Sequence, residues 1–231
     1  MQEDQTNKPL DFVLIGYGYI ADRHRAAIEK IGGRIVCVYD IDKSKREKID
    51  SEIPFFDDFN EMTRSKEFEK ADFAVILTPN DIHFSIAQTL LRMQKNVILE
   101  KPPVLKSEEI EILRRLADNF DKKIYVVLQL RESEKLMELK KQLAGSCNHK
   151  VDLTLNMNRG AFYTEGWKGD DKRSGGIFFN IGIHYFDLLI YFFGTPIDFV
   201  VESLQTMKAK GWMTFQNADV KWSIDLTVAQ D

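Results

Sequence analysis

F-V-L-I-G-Y-G-Y-I-A, residues 12–21, is the stretch that decides the fold. Four apolar residues predict a buried strand, and Gly16, Gly18 and Ala21 follow it with the spacing G-x-G-x-x-A. In a strand–turn–helix unit, the first glycine permits a tight turn, the second lets a pyrophosphate approach the backbone, and the small third residue lets the helix pack on the strand. The stretch therefore predicts a dinucleotide-binding turn, and the alternative is a tight turn without a ligand.

Around this turn, short apolar segments alternate with amphipathic ones up to about residue 130. The predicted strands are Phe12–Ile15, Ile35–Tyr39, Phe73–Leu77, Val97–Leu99 and Ile124–Leu128, with a weaker one at Phe55–Phe56. The predicted helices are Ile20–Ile31, Lys43–Ser51, Ile82–Met93, Glu108–Asn119 and Ser133–Leu143, with Ser107 as the N-cap of the fourth. Apolar strands that alternate with helices predict a parallel sheet covered on both faces, whose ligands lie at the carboxyl ends of the strands.

The pattern changes after residue 146. Val151–Asn158 and Lys221–Val228 alternate strictly between apolar and polar residues, as strands of antiparallel sheets with one wet face do. Shorter strands are predicted at Ile197–Leu204 and Trp212–Phe215. The predicted fold class is therefore α/β. It comprises a Rossmann domain with a doubly wound parallel sheet (residues 1–146) and an α+β domain with a mostly antiparallel open sheet (residues 147–231).

Composition argues against a nucleic-acid-binding protein and against a disulfide-rich secreted protein. The chain has 231 residues and a formal net charge of −4, which argues against nucleic acid as a partner because phosphate binding needs a basic surface. The two cysteines are Cys37, inside an apolar strand, and Cys147. A disulfide framework is therefore not expected, and a reducing compartment, the cytoplasm, fits this cysteine usage.

No targeting or membrane segment is expected. The N-terminus lacks the apolar stretch of a signal peptide. Ile177–Phe193 is apolar enough for a membrane span, but Asn180, His184 and Asp187 interrupt it and would be costly in lipid. We therefore predict a buried helix and no membrane partner.

An acidic residue predicts which dinucleotide is bound. Asp40 ends the second predicted strand, where a carboxylate would hydrogen-bond the adenosine ribose and repel a 2′-phosphate, so NAD is favoured over NADP. Asp42 is the competing candidate. The helix N-terminus after the turn supplies amide donors. The cofactor contacts predicted from this part of the sequence are Gly16, Gly18, Tyr19, Ile20 and Asp40.

Two further strand ends carry polar residues. Thr78-Pro79-Asn80 follows the strand that ends at Leu77, and His83 comes three residues later. Glu100-Lys101-Pro102 follows the next strand. The competing interpretations are a solvated strand end for Glu100 and Lys101 and a helix-start residue for His83. At this edge of a doubly wound sheet, we expect Thr78, Asn80, His83, Glu100 and Lys101 to contact the cofactor.

These motifs together resemble the Gfo/Idh/MocA oxidoreductase family over nearly the whole chain. The other motifs behind the resemblance are W-K-x-D at Trp167–Asp170, Gly175-Gly176, and N-x-G-x-H-x-x-D from Asn180 to Asp187. The resemblance implies that Lys101 and His184 flank the substrate carbon that exchanges a hydride, with no metal. The family commonly has Asp where this chain has Asn180, which leaves the acid/base role to Lys101 and His184. Which of them takes the proton stays open.

Within the family, three stretches resemble the UDP-N-acetylglucosaminuronate 3-dehydrogenases. They are Leu128–Arg131, Trp167–Asp170 and Asn180–His184. The resemblance implies oxidation of the C3 hydroxyl of a UDP-N-acetylhexosaminuronate to a 3-keto sugar for surface polysaccharides such as O-antigen. It also implies a separate aminotransferase as the next enzyme. Reoxidation of bound NADH by 2-oxoglutarate is a further implication.

The same resemblance predicts the remaining contacts. Gln129, Trp167 and Lys168 are expected on the cofactor, and the competing interpretation of Trp167 is a core aromatic residue. Lys101, Arg131, Arg159, Asn180 and His184 are expected on the substrate. Arg131 could pair with a uronate carboxylate as a two-pronged donor, and Arg159 is the second candidate; surface charge is the alternative for both.

Two other functions remain open at this point. A related enzyme of the family could oxidise a free polyol or inositol, and a non-catalytic NAD-binding protein would need neither Lys101 nor His184. Family members usually run longer, and this chain stops at Asp231 just after an alternating strand, so the second sheet looks incomplete. We expect a homo-oligomer formed through that sheet.

Overall fold

The computed structural model describes residues 8–228, apart from the side chains of residues 161 and 162. The chain forms two compact units, one ending at Val127 and the other beginning at Leu128. The domain boundary at residues 146–147 stays a prediction, and the segment before it lies in the second unit.

The first unit is built on a six-stranded parallel sheet with the order β3-β2-β1-β4-β5-β6. Its strands are β1 (Asp11–Ile15), β2 (Arg34–Tyr39), β3 (Phe55–Phe56), β4 (Phe73–Ile76), β5 (Asn96–Leu99) and β6 (Ile124–Val126). The chain winds outward from β1 to one edge and returns to β4 on the other side of β1. This is the predicted doubly wound sheet, with a switch point between β1 and β4.

Helices cover both faces of this sheet. They are α1 (Ala21–Lys30), α2 (Phe59–Thr63), α3 (Lys66–Lys70), α4 (His83–Arg92) and α5 (Ser107–Asn119). The side chains of β1 alternate between two core clusters, since Val13 and Ile15 pack in one and Phe12 and Leu14 in the other. Burial on both faces explains why β1 is apolar from Phe12 to Ile15.

Three local predictions need correction. The helix predicted over Lys43–Ser51 is a short 3-10 turn, Lys43–Lys48, in which Asp42 accepts a hydrogen bond from the Ser44 amide at the N-cap. Ser107 is the first residue of α5 rather than its N-cap. The short helices α2 and α3 were not predicted, although each begins after a side-chain cap, Asp58 or Ser65.

The two cysteines are both free thiols. Cys37 is buried in β2, and burial raises the pKa of its thiol to about 12. Cys147 is exposed. Cys37 therefore behaves as a small apolar side chain of the core, in agreement with its position in an apolar strand.

The second unit contains a four-stranded mixed sheet with the order β7-β10-β9-β8. Its strands are β7 (His149–Asn156), β8 (Asp198–Leu204), β9 (Lys208–Thr214) and β10 (Ala218–Asp225). The pairs β10–β9 and β9–β8 are antiparallel, but β10 pairs with β7 in parallel. The alternation therefore identified strands with one wet face correctly, and it did not show that one pairing is parallel.

Helices pack on one face of this sheet. They are α6 (Glu134–Leu143), α7 (Gly160–Glu165), α8 (Asp171–Ser174) and α9 (Ile183–Phe193), and a π turn over Phe178–Gly182 leads into α9. Trp222 of β10 is almost fully buried, with Phe178 and Phe186 edge-on to it at ring-centroid distances of 5.7 and 5.3 Å. This aromatic cluster fixes the apolar helix on the sheet.

Among the described residues, one helical stretch, Asp171–Phe193, is long and apolar enough to cross a membrane by length and composition alone. Such a helix is weak evidence for a span, because core helices pass the same test. Ile181, Leu189 and Phe193 pack in the core of the second unit, and Asn180 is buried there as well. These contacts agree with the predicted packing in a core for part of the helix, since 28% of its most apolar window is buried.

Candidate active site

The Gly-rich turn has the geometry that a dinucleotide needs. Gly16 follows β1 with φ +93°, and a Cβ on it would lie 3.0 Å from the carbonyl carbon of Leu77, so a larger residue there would be strained and crowded. A Cβ on Gly18 would meet nothing within 4 Å, so the space beside its backbone is open. Tyr19 is 78% exposed at the tip, before α1. The turn leaves room for an anionic group at the N-terminus of a ten-residue helix.

The carboxylate of Asp40 is fixed against this turn. One oxygen accepts a hydrogen bond from the Tyr17 amide at 2.6 Å, and the other accepts from the Asp42 amide at 2.8 Å. The carboxylate of Asp42, the competing candidate, accepts hydrogen bonds from the amide and the hydroxyl of Ser44, and these bonds lower the pKa of Asp42. Of the two acids, Asp40 is the one held at the Gly-rich turn.

The end of β4 supplies a buried hydroxyl and a buried imidazole. The hydroxyl oxygen of Thr78 is buried and has no hydrogen-bond partner among the described residues. Asn80 is 5% exposed. His83 begins α4, is fully buried, and places Nδ1 2.7 Å from the carbonyl oxygen of Pro102 and Nε2 2.8 Å from that of Thr78. Its ring nitrogens therefore face backbone carbonyls, and its predicted contact with the cofactor stays a prediction.

Glu100 has a partner that the sequence analysis missed. His24 of α1 places Nε2 2.8 Å from Oε1 of Glu100, and the two side chains are 15% and 14% exposed. Burial opposes ionisation of Glu100, but the hydrogen bond from His24 and the charges of His24 and Lys101 outweigh it and hold the pKa of the carboxyl below its ordinary value. Glu100 is therefore a partly buried carboxylate with a fixed donor, and the simple interpretation of a solvated strand end does not describe it.

In the second unit, the W-K-G-D loop is held by Asn180. Trp167–Gly169 forms one 3-10 turn, and the side-chain amide of Asn180 donates to the Lys168 carbonyl at 3.2 Å. Gly169 is required there, because a Cβ would lie 2.3 Å from the carbonyl oxygen of Thr164. The Lys168 ammonium lies 5.8 Å from the centre of the Trp167 ring. Trp167 is half-buried rather than a core aromatic residue.

Arg131 is already engaged within the second unit. It donates to both carboxylate oxygens of Asp187, from Nε at 2.8 Å and from Nη2 at 2.6 Å, and this pairing raises the pKa of the guanidinium. The guanidinium also lies over the ring of Tyr191, 5.4 Å from its centre, as does the ammonium of Lys140 at 3.7 Å. Arg131 is thus a fixed cation, and its first partner is a carboxylate of the protein.

The predicted residues fall into two groups. The first group lies at the carboxyl edge of the parallel sheet in the first unit and comprises Gly16, Gly18, Tyr19, Ile20, Asp40, Thr78, Asn80, His83, Glu100 and Lys101. The second group belongs to the second unit and comprises Gln129, Arg131, Arg159, Trp167, Lys168, Asn180 and His184. There, His184 is half-buried in the first turn of α9, whereas Gln129 and Arg159 are exposed. In the described part of the chain, no three His, Cys, Asp or Glu side chains are grouped so as to hold a metal ion.

These features fit an adenine dinucleotide. The backbone is open at Gly18, a carboxylate is fixed where a ribose would lie, and the unpartnered Thr78 hydroxyl offers a polar contact at the end of β4. The fold and this edge define an NAD-binding domain of the Rossmann type, followed by a second α/β domain.

Comparison with known families identifies the group. The oxidoreductase family Gfo/Idh/MocA matches through its NAD-binding Rossmann fold over residues 10–128 and through its C-terminal alpha/beta domain over residues 147–217. The chain belongs to this family.

Two curated relatives illustrate the range of the family. The uncharacterized oxidoreductase YdgJ of Escherichia coli is 27% identical over 83% of this chain and 56% of its own length. Glucose-6-phosphate 3-dehydrogenase of Bacillus subtilis is 27% identical over 94% of this chain and 61% of its own length. The chain thus spans less than two thirds of the length of these relatives.

Solved structures give a more similar relative. The WlbA (WbpB) dehydrogenase of Thermus thermophilus, in complex with NAD and UDP-GlcNAcA, has a TM-score of 0.87 and 34% identity, covering 94% of this chain and 74% of its own. The same dehydrogenase in complex with NAD and alpha-ketoglutarate has a TM-score of 0.87 and 32% identity, with the same coverage. Both complexes contain NAD, the dinucleotide that the Gly-rich turn and Asp40 together predict.

The position of Asp40 predicts which dinucleotide the chain prefers. Replacing Asp40 by Ser together with Ile41→Arg should move the preference from NAD toward NADP, because the change removes a carboxylate that repels a 2′-phosphate and adds a cation that attracts it. Titration calorimetry with both cofactors measures the shift. Asp42→Ser is the control and should leave the preference unchanged. Equal affinity of the wild-type chain for NAD and NADP would contradict the assignment.

Proposed function

We propose that this chain is an NAD-dependent dehydrogenase of CH–OH groups that oxidises the C3 hydroxyl of a UDP-N-acetylhexosaminuronate to a 3-keto sugar. The observation that supports this most is the 34% identity to a dehydrogenase whose structure contains NAD and UDP-GlcNAcA. Three stretches that resemble that branch of the family add to it: Leu128–Arg131, Trp167–Asp170 and Asn180–His184.

The proposed chemistry separates an alcohol into a hydride, a proton and a ketone. Bound NAD supplies the hydride acceptor. Lys101 is the proposed partner of the reacting oxygen, and His184 shares the proton with it. Asn180, in the place where the family commonly has Asp, is a neutral residue that holds the Lys168 carbonyl, so the acid/base work falls to Lys101 and His184.

Holding the substrate is the proposed role of the cations in the second unit. A uronate carboxylate needs a fixed cationic partner, because a carboxylate removed from water is costly without one. Arg131 is the first candidate and Arg159 the second. Arg131 is the more firmly held of the two, since its contacts with Asp187 and Tyr191 keep the guanidinium in one place, whereas Arg159 is exposed.

A second candidate function is oxidation of a sugar or polyol that carries no nucleotide. The observation in its favour is that curated relatives act on other substrates, among them glucose-6-phosphate 3-dehydrogenase at 27% identity and the inositol 2-dehydrogenase of Rhizobium meliloti at 25%. A non-catalytic NAD-binding protein is the third interpretation, and the presence of both Lys101 and His184 argues against it.

A redox assay of the purified chain tests the proposal. UDP-N-acetylglucosaminuronate, UDP-N-acetylglucosamine, glucose 6-phosphate and myo-inositol are offered in parallel with NAD, and formation of NADH is followed. We expect oxidation of the uronate. The similar dehydrogenase was also crystallised with alpha-ketoglutarate. Consumption of alpha-ketoglutarate is therefore followed as well, because it would report turnover if NADH stays bound and is reoxidised in place. Oxidation of inositol or glucose 6-phosphate alone would transfer the chain to another branch of the family.

The biological setting follows from this proposal, and the assembly is proposed from the second sheet. The reaction would take place in the cytoplasm, and its 3-keto nucleotide sugar would serve the synthesis of a surface polysaccharide.

The outer face of the second sheet carries a shallow depression of about 510 Å³, lined among others by Lys150, Trp212 and Lys221. This face is the proposed surface for a homo-oligomer. Light scattering of the purified chain tests it, since a monomer would rule it out.

A further inference from the structure

We propose that His24 is a positioning residue that fixes the Glu100-Lys101-Pro102 loop to α1 and thereby sets the place of Lys101 at the carboxyl edge of the sheet. The inference rests on the proposed function for the role of Lys101. The contact itself stands on the geometry of the first unit, and His24 lies outside the motifs named above.

Both oxygens of Glu100 are used to build this connection. Oε1 lies 2.8 Å from Nε2 of His24, and Oε2 accepts the backbone amide of Lys101 at 3.3 Å. The carboxylate therefore links a helix side chain directly to the peptide unit that carries Lys101. The Glu100 amide donates to the Ile76 carbonyl at 3.2 Å, which attaches the start of the loop to β4.

A second imidazole holds the other side of the loop. Nδ1 of His83 lies 2.7 Å from the Pro102 carbonyl oxygen, and its Nε2 lies 2.8 Å from the Thr78 carbonyl oxygen. Two of the four histidines in the chain thus flank Lys101, one from α1 and one from α4. Because His83 is fully buried, the Pro102 side should stay in place when His24 is replaced.

The connection joins two functional elements. His24 lies one turn after the Gly-rich turn, in the helix whose N-terminus is proposed to face the cofactor pyrophosphate. Lys101 has a long, flexible side chain, so its reach depends on where its backbone is held. A displacement of about 1 Å in a reacting group can cost about a hundredfold in rate. His24 would therefore coordinate the place of Lys101 with that of the cofactor without touching the substrate.

Charged groups near Glu100 and His83 set the ionisation of this connection. Glu100 experiences the charges of His24 and Lys101, and His83 experiences those of Glu100 and Asp81. Burial lowers the pKa of His83, while the pKa of the Glu100 carboxyl lies below its ordinary value. Near neutral pH, Glu100 is therefore an ionised acceptor, and one N–H on Nε2 of His24 is enough to complete the contact.

Amide exchange tests the proposal without any substrate. The Lys101 amide donates to Glu100, so its exchange rate reports whether Glu100 is held. His24→Leu removes the donor and should speed hydrogen exchange at the amides of residues 99–101 by about tenfold or more, since Pro102 and Pro103 carry no amide hydrogen. His24→Gln keeps an N–H at a similar reach and should stay within about threefold of wild type. Arg25→Leu, one residue along the same helix, is the matched control and should leave the segment unchanged.

Kinetics then separate positioning from simple stability. With the sugar that the chain oxidises, His24→Leu should lower kcat by about ten- to a hundredfold, with NAD affinity within about twofold, and His24→Gln should restore most of the rate. Unchanged exchange in His24→Leu would overturn the connection. Faster exchange with an unchanged kcat would overturn the positioning role. A wild-type chain that oxidises none of the sugars would overturn the proposed function and the role of His24 in it, while the exchange comparison would still decide whether His24 holds the loop.

Discussion

Replacing Lys101 by Met should lower the rate of sugar oxidation by about two to four orders of magnitude, the range expected when a general acid or base is removed. Met keeps the length and apolar character of the side chain and removes the ammonium. His184→Asn should have an effect of similar size, because the proposed chemistry needs a proton shared between the two groups. NAD affinity should change far less in both variants, because the Gly-rich turn and Asp40, which are expected to make most of the cofactor contacts, stay intact.

Two control variants make this test specific. Lys106→Met removes an exposed lysine five residues further along the chain, and His149→Asn changes a half-buried histidine of β7. Neither should lower turnover by more than a few-fold. Stopped-flow measurement of NADH formation, together with calorimetry of NAD binding, gives the two quantities. Near-normal turnover of both Lys101→Met and His184→Asn would remove the acid/base role from these residues.

The sequence alone predicted the parts of the fold that depend on local patterns. The strand before Gly16, the spacing to Ala21 and the carboxylate at Asp40 occupy positions fixed by one strand–turn–helix unit and the following strand. Each residue type there follows from backbone conformation or burial at its own position. The apolar strands of the first unit were predicted for the same reason, because burial on both faces leaves a signal in every residue.

The parts that were missed depend on contacts between distant residues. His24 and Glu100 are 76 positions apart, and neither sequence neighbourhood indicates the other. The pairing of Arg131 with Asp187 spans 56 positions and was invisible for the same reason. The direction of β7 against β10 is also a tertiary property, since alternation shows which face is buried and not which way a partner runs.

The engagement of Arg131 by Asp187 changes how the substrate prediction has to be tested. If Arg131 binds the uronate, Arg131→Met should erase most of the preference for UDP-N-acetylglucosaminuronate over UDP-N-acetylglucosamine. A charge-assisted contact contributes about 1.5–3 kcal/mol, which corresponds to a preference of about tenfold to a hundredfold. The same substitution also leaves the Asp187 carboxylate, which is 14% exposed, without its guanidinium. Lost activity alone would therefore not identify the role of Arg131.

Asp187→Asn separates the two roles, because it removes the carboxylate and keeps Arg131. A guanidinium that binds the substrate should retain or increase its preference for the uronate when a competing carboxylate is neutralised. If Arg131 serves only to hold Asp187, Arg131→Met and Asp187→Asn should lose equal stability. The ratio of kcat/KM between the two sugars should then be unchanged in both variants. Arg159→Met, measured in parallel, decides between the two candidate cations: we expect its ratio to match wild type. A ratio that falls in Arg159→Met and not in Arg131→Met would reassign the uronate to Arg159.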